Sequence, residues 1–349
     1  MTDSRYSKFV ESLGTFIDKR RIYTDSIRRF AWGTDAGFYR MTPEVVIRAK
    51  DEQEVSRILS LASESGIPVT FRAAGTSLSG QAVSDSVLVV AGKNWEKYSI
   101  SADRKSITLE PGIVGARVNR ILNPLGLRFA PDPASINSAM VGGIVMNNAS
   151  GMSCGTHANS DKELISARMI FPDGTILDTG DAQSRKDFEA KHPEIIKGIC
   201  DLRDEVLADK ELCERIRYKY SIKNVTGLNI RPLVSFTDPF DIITHLLVGS
   251  EGTLAFLSRV TMKTEKTAPF KASAMIYFSD IREAARAVVA MKDLKVSAAE
   301  LLDSMSLASV NDPTGEGLTA VLTETTAFSE DELRQNINDI CKSLEPFKT

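Results

Sequence analysis

Cysteine is scarce in this 349-residue chain: Cys154, Cys200, Cys213 and Cys341 stand far apart, with no C-x-x-C spacing. The sequence therefore offers no thiolate metal or iron–sulfur motif, and free thiols in a reducing cytosol are the expected state. Histidine is scarcer, with only His157, His192 and His245, widely separated. No apolar run approaches the ~18 residues that a membrane-spanning helix needs. The start, Met1-Thr2-Asp3-Ser4-Arg5-Tyr6, shows no apolar core of a secretory signal. There is no Lys/Arg block, and the net charge of −3 gives no sign of a nucleic-acid partner. Internal repeats and low-complexity tracts are also missing. Hydrophobic content of 42% and charged content of 26% are ordinary for a globular protein of one large or two medium domains.

Glycine is what the chain does have, in three marked segments. The first is Phe71-Arg72-Ala73-Ala74-Gly75-Thr76-Ser77-Leu78-Ser79-Gly80-Gln81, between the β-prone runs Ile67–Phe71 and Ser86–Val90. Glycine permits φ > 0 and close backbone approach, and successive N–H groups in such a turn form an anion-binding concavity. This reads as a loop wrapping a diphosphate, or as a tight connection with hydroxyl-capped turns. The second runs from Pro131-Asp132-Pro133-Ala134-Ser135 through Met140–Gly151 to His157. Its glycines argue against a well-packed helix or strand, while Met140, Val141, Ile144, Val145 and Met146 argue for burial. The third is Val248-Gly249-Ser250-Glu251-Gly252-Thr253-Leu254.

The elements around them alternate. Glu44–Ala49 reads as a strand. A capping box of Asp51 and Glu54 opens a helix over 52–65, closed by Gly66 and Pro68. Strands follow at 107–109 and 163–171, with a helix at 114–122 and a Pro172-Asp173-Gly174-Thr175 hairpin turn. Residues 184–216 are charged and helical, with Ile195, Ile196, Ile199, Leu202 and Val206 as one face. His192 reads as a solvated surface residue and His245 as a helix-face residue near the third glycine turn. His157, inside the second segment, is the one histidine that is a site candidate. After Pro269 the order is β-α-β-β-α, ferredoxin-like without its last strand. That order suggests a fragment, or a second domain completed in an unusual way.

Common explanations of the first loop fail. It is no Walker A, since no Gly-Lys-Ser/Thr follows, and no G-x-G-x-x-G, since Gly75 and Gly80 are five apart. No G-x-S-x-G elbow occurs. A general base for carbon-acid or hydride chemistry is usually His, Glu or Lys, and no obvious one stands out.

Together the segments resemble the FAD-binding domain of the vanillyl-alcohol oxidase/p-cresol methylhydroxylase (PCMH-type) superfamily, and within it the FAD-linked D-2-hydroxyacid dehydrogenases. Arg72–Gly80 (RAAGTSLSG) resembles the pyrophosphate loop R-G-x-G-T-S-x-x-G, with Ala73 in place of the first glycine. Pro131-Asp132-Pro133 with Val141-Gly142-Gly143 and Asn147-Asn148-Ala149-Ser150-Gly151 resembles D-P-S-S…I-G-G-x-x-x-N-N-A-S-G. Pro172-Asp173-Gly174 and Gly249–Leu254 resemble the later P-D-G and G-S-E-G-T-L signatures. Ala31–Arg40 and Tyr220–Gly227 look like the long members, which carry a C-terminal iron–sulfur region. The family's H-x-G-D-G-N catalytic signature does not occur in this sequence.

The resemblance implies an α+β fold: a two-lobed PCMH-type FAD-binding domain over 1–268, with an extension of about 40 residues at its start, then a truncated ferredoxin-like cap over 269–349. It implies that the backbone of Ala74, Gly75, Thr76, Ser77, Leu78 and Ser79 holds the FAD diphosphate. Pro131, Gly142, Gly143, Ser150 and Gly151 would pack along the ribityl and isoalloxazine parts, and Gly155, Thr156, Glu251, Gly252 and Thr253 would complete the pocket. Arg72, Ala73, Gln81, Asp132, Val141, Asn147 and His157 join them as cofactor-site residues. FAD would be held non-covalently, not attached through His157. Lys223 and Arg217 are candidates for a substrate carboxylate, or form a solvated basic face. Glu300 reads as structural, beside a core strand. Catalytic residues are expected beyond Thr349, as is any [4Fe–4S] cluster.

The function implied is oxidation of a D-2-hydroxyacid, D-lactate or D-2-hydroxyglutarate, with electrons passing to an iron–sulfur region, quinone or cytochrome. The expected setting is the cytoplasm or the inner face of the membrane. The alternatives are a non-catalytic FAD-binding or electron-transfer module and, less well matched, a cell-wall reductase on the same fold.

Overall fold

A computed structural model describes residues 4–310 and 317–347. The fold is mixed α+β, as expected, and forms two compact units. One takes the chain to Ser150 and then Thr156–Glu265, and the other combines Gly151–Gly155 with the chain from Lys266 onward.

The first unit has two lobes. In the first lobe, the strands Val45–Arg48, Val87–Val90 and Val69–Arg72 lie parallel in that spatial order, with Ile22–Tyr23 antiparallel at the edge. Val45, Val46, Ile47, Val87, Leu88 and Val89 are fully buried, the continuous apolar run that a covered parallel sheet demands. Helix Glu52–Glu64 makes the crossover and buries Val55, Ile58, Leu59 and Ala62 against the sheet. Asp51 caps it by accepting from the Glu54 N–H. The expected capping box is only half formed, because the Glu54 carboxylate accepts instead from the Lys50 N–H and from Arg21. The first glycine loop leaves the carboxyl end of Val69–Arg72, the edge at which open α/β sheets bind ligands.

The second lobe is an antiparallel sheet in the order Tyr98–Ile100, Ser106–Leu109, Phe256–Lys263, Leu164–Ile170, Ile176–Asp178. The last two strands form the hairpin expected at Pro172–Thr175, with Gly174 at φ +84°. Phe256 joins the lobes: its ring lies 4.9 Å from that of Phe71 and 5.2 Å from that of Trp95.

Three expectations need correction here. The 184–216 region is broken into helices Ala182–Lys191, Pro193–Ala208 and Lys210–Lys219, and Leu202 is exposed rather than on the packed face. His192 is not solvated. It sits at the first break, where its Nε2 meets Thr175 Oγ1 at 3.0 Å and its ring lies against Phe188. The second glycine segment does build a helix, Val141–Met146, whose Val141, Ile144 and Val145 are buried.

The second unit follows the expected β-α-β-β-α order: strand Phe270–Phe278, helix Ile281–Ala290, strand Ala298–Leu302, strand Thr319–Ala327 and helix Glu330–Leu344, with a short helix Ser304–Ser309 between the second and third strands. Thr319–Ala327 is the central strand, antiparallel to both others. Phe278, Ala284, Ala287 and Val321 form its core. Glu300 lies on an edge strand and is exposed, so burial gives it no structural role.

Among the described residues no helix is long and apolar enough to cross a membrane, and no His/Cys/Asp/Glu group could hold a metal ion.

Candidate functional site

A cavity of about 590 Å³ opens in the first unit, lined by all three glycine segments and by Val225–Gly227. This is within the size range of cofactor sites. Phe71, Ala255, Phe256 and Leu257 contribute apolar wall where the lobes meet.

The first segment supplies donors. Gly75 and Gly80 adopt φ of +73° and +81°, which L side chains rarely reach. These turns fold the chain so that the N–H groups of residues 74–82 donate to no acceptor among the described residues. Leu78 and Ser79 are exposed, but residues 74–77, 80 and 81 are half-buried and Ala82 is buried; such amides are normally paired, so unpaired ones beside a cavity mark a place for an external acceptor. An anion with several oxygens fits that chemistry.

Arg72 stands at the start of this loop, and one nitrogen of its guanidinium is already engaged. Nη1 donates to the carbonyls of Thr34 (2.6 Å) and Ala82 (3.1 Å), and more weakly to Trp32 (3.4 Å). Burial lowers its pKa from the ordinary guanidinium value, partly offset by Asp35. Its buried Nε has no partner.

The second segment meets the first at Gly143, where an added Cβ would lie 3.7 Å from Ala73 Cβ. Gly142 is different. Its N–H donates to the Pro111 carbonyl at 2.9 Å, and a Cβ there would come within 2.6 Å of Pro111 Cβ. Glu251, from the third segment, is at φ +56° and donates its N–H to the Met146 carbonyl at 2.9 Å. Burial raises its carboxyl pKa above the usual range, and a side-chain hydrogen bond with Asn147 opposes that. Gly227 touches the same turn backbone to backbone: a Cβ on it would sit 2.1 Å from the Gly249 carbonyl oxygen.

Of the residues singled out from sequence, Arg72, Ala73, Ala74, Gly75, Thr76, Ser77, Leu78, Ser79, Gln81, Gly142, Gly143, Asn147, Ser150, Glu251 and Gly252 line this cavity. Pro131, Asp132, Val141, Thr156, His157 and Thr253 do not. Pro131 and Val141 are buried, whereas Thr156 and His157 are exposed. Thr253 lines a smaller apolar cavity of about 200 Å³ beside helix Glu52–Glu64. Gly151 and Gly155 fall in the second unit. Arg217 and Lys223 are exposed and outside the lining, although Val225, Thr226 and Gly227 just downstream are part of it. Ala91, Pro111 and Ala139 also line the cavity; they belong to none of the glycine motifs and enter the lining only through the fold.

A two-lobed α+β unit with a glycine-rich donor loop at a sheet edge defines a nucleotide-cofactor protein, and the comparisons specify the nucleotide. Residues 43–180 match the FAD binding domain family. That match indicates FAD as the cofactor of this segment. The chain is 26% identical over 314 residues to a D-2-hydroxyglutarate dehydrogenase of Pantoea ananatis, covering 87% of this chain and 30% of that protein. It is 23% identical over 319 residues to the mitochondrial D-lactate dehydrogenase [cytochrome] of Arabidopsis thaliana, covering 89% and 47%. It is 24% identical over 284 residues to glycolate oxidase subunit GlcD of Bacillus subtilis, covering 80% and 50%. The chain thus spans half or less of the length of these relatives. Among solved structures, an alkyldihydroxyacetonephosphate synthase matches with a TM-score of 0.66 at 13% identity, over 97% of this chain and 60% of that one. That likeness concerns the fold alone.

Proposed function

We propose that this chain is the flavin-binding part of an FAD-linked dehydrogenase that oxidises a D-2-hydroxyacid, D-lactate or D-2-hydroxyglutarate, to the 2-oxoacid. The observation that carries the reading is the run of unpaired N–H groups at 74–82 on a cavity that three glycine segments line. The backbone of Ala74–Ser79 would hold the FAD diphosphate. Gly143 and Ala73, small lining residues where two segments meet, would let the cofactor lie close against the backbone. FAD would supply the two-electron redox chemistry. The protein's part is to bind and orient it, non-covalently, with electrons leaving to an iron–sulfur region, quinone or cytochrome. The substrate class rests on the names of the relatives, and the lining supports it only by leaving space for a flavin.

A second reading is an FAD-binding module with no turnover of its own. The lining favours it in one respect: among the described residues it holds no histidine or lysine, and Glu251 is its one carboxylate that could serve as a general base. One experiment separates the two. The purified protein should be yellow and release FAD on denaturation, and D-lactate or D-2-hydroxyglutarate added without oxygen should bleach it. A colourless protein that takes up no added FAD refutes both readings. A yellow protein bleached by neither acid, nor by glycolate, leaves the second.

A further inference from the structure

Resting on the reading that this cavity takes FAD, we propose that Arg72 is a positioning residue that latches the segment Trp32–Arg40 behind the diphosphate loop. In this arrangement affinity comes from a braced backbone and not from an arginine–phosphate contact. The brace is a closed turn. Thr34 and Arg40 form an isolated antiparallel bridge, and the Met41 N–H donates to the Gly33 carbonyl at 3.0 Å. Its inner side holds the loop at three further points. The Ala36 N–H donates to the Gly75 carbonyl at 3.0 Å. Gly37 packs so tightly that a Cβ on it would lie 2.6 Å from the Leu78 carbonyl oxygen, and the Tyr39 ring covers Gly80. Its outer side is free: Phe38 is 89% exposed. The brace itself does not line the cavity.

The Arg72 fork closes the assembly. Nη1 reaches the carbonyls of Thr34 on the brace and Ala82 beyond the loop, and the guanidinium lies directly under Gly75, 2.4 Å from where a Cβ would stand. The carbonyl oxygens occupy Nη1 and so withdraw that nitrogen from a phosphate. Through Nη1 the guanidinium is fixed against the brace, although Arg72 also lines the cavity. What it gives the cofactor is a loop whose amides are already aimed, so binding does not have to order them.

Three substitutions test this, read by FAD titration of the apoprotein. Gly37→Ala adds no charge and alters no cavity-lining residue, yet its Cβ wedges the brace off Leu78. It should weaken FAD binding by at least about tenfold, or about 1.4 kcal/mol. Arg72→Met should weaken it similarly. Arg72→Lys keeps the charge but not the planar fork, and should not restore wild-type affinity. The Gly37→Ala/Arg72→Met double variant should lose less than the sum of the two, because both act through one brace. Near wild-type affinity in Arg72→Lys, full affinity in Gly37→Ala, or strict additivity would overturn the proposal. Hydrogen exchange at the Ala36 and Met41 amides gives a second reading without cofactor. Both amides should be protected in the wild-type apoprotein and exposed in each variant. If the wild type binds no FAD, the cavity reading fails, and the exchange result still decides whether Arg72 latches the segment.

Discussion

Gly142 and Gly143 are adjacent, both in the first turn of Val141–Met146, and the structure assigns them opposite roles. Alanine in a helix is favoured over glycine by roughly 0.5–1 kcal/mol, so propensity alone predicts that either Gly→Ala change stabilises. At Gly142 the new methyl would meet Pro111 Cβ at 2.6 Å and its carbonyl oxygen at 3.2 Å. Pro111 cannot swing aside, so the helix must shift by most of an ångström and strain its N–H bond to the Pro111 carbonyl. Overpacking of this kind costs about 1–3 kcal/mol, so Gly142→Ala should be net destabilised by about 1–2 kcal/mol. At Gly143 the nearest atom is Ala73 Cβ at 3.7 Å, an ordinary contact. Gly143→Ala should keep or slightly raise stability, while its methyl occupies space toward the diphosphate loop. One misplaced carbon in a binding site is worth about 1–3 kcal/mol, so FAD affinity should fall roughly ten- to hundredfold. Urea denaturation of the two apoproteins and FAD titration separate these effects. A Gly142→Ala protein more stable than wild type, or a Gly143→Ala protein that binds FAD normally, would refute the assignment.

The titration of Glu251 gives a pH prediction. Its carboxyl holds a proton to higher pH in the folded protein than in the unfolded chain, because burial disfavours the charge. Its contribution to stability is therefore complete below the ordinary carboxylate range and is lost as pH rises through the folded value. Glu163 adds the same sign, from burial and then from repulsion by Glu265. Urea midpoints between about pH 5 and pH 8 should fall less steeply in Glu251→Gln than in wild type, and an unchanged slope would count against the burial argument. Arg231→Met should cost about 3–5 kcal/mol, because it leaves the Asp161 carboxylate, its partner at 3.1 Å, buried without a counter-charge; chemical denaturation reads this directly. Asp51→Ala removes the cap of helix Glu52–Glu64 and should cost about 0.5–2 kcal/mol, seen as a lower melting temperature.

Much of the candidate site is legible in the sequence because its chemistry is backbone chemistry, and backbone chemistry is written in glycine. Gly75, Gly80, Gly249 and Gly252 all take φ above +70°, and the segments that hold them can be read by eye. Val141–Met146 is harder to read, since two glycines weaken any helix signal. The helix forms because the N–H groups of Val141 and Gly142 are taken by the carbonyls of Ile113 and Pro111, a contact no local pattern shows. Arg72 is misleading for the same reason. A cation at the head of an anion loop suggests a phosphate ligand, while the carbonyls that occupy it come from about 40 residues upstream. His192 reads as a surface residue from its charged neighbours, and only the tertiary fold brings Thr175 to it.

A motif match treats its glycines as equals, whereas the structure sorts them by what a side chain would meet. At Gly142 and Gly227 it would meet protein, at Pro111 and the Gly249 carbonyl. These glycines let parts of the first unit approach, and the fold needs them with or without a ligand. At Gly75 it would meet the Arg72 latch and at Gly37 the Leu78 carbonyl of the donor loop, contacts that give the loop its shape. At Gly143 it would meet only Ala73 Cβ, at an ordinary 3.7 Å, and both residues line the cavity. Glycine that fills no tight contact and adopts no left-handed backbone has no reason in the fold to be glycine. Room for a ligand lying beside both residues is the reason that the proposed FAD reading supplies. The Ala73 side chain, at a position where the related loops carry glycine, puts one more methyl into that lining, so Ala73→Gly should tighten FAD binding, whereas a residue remote from the cofactor would leave the titration unchanged.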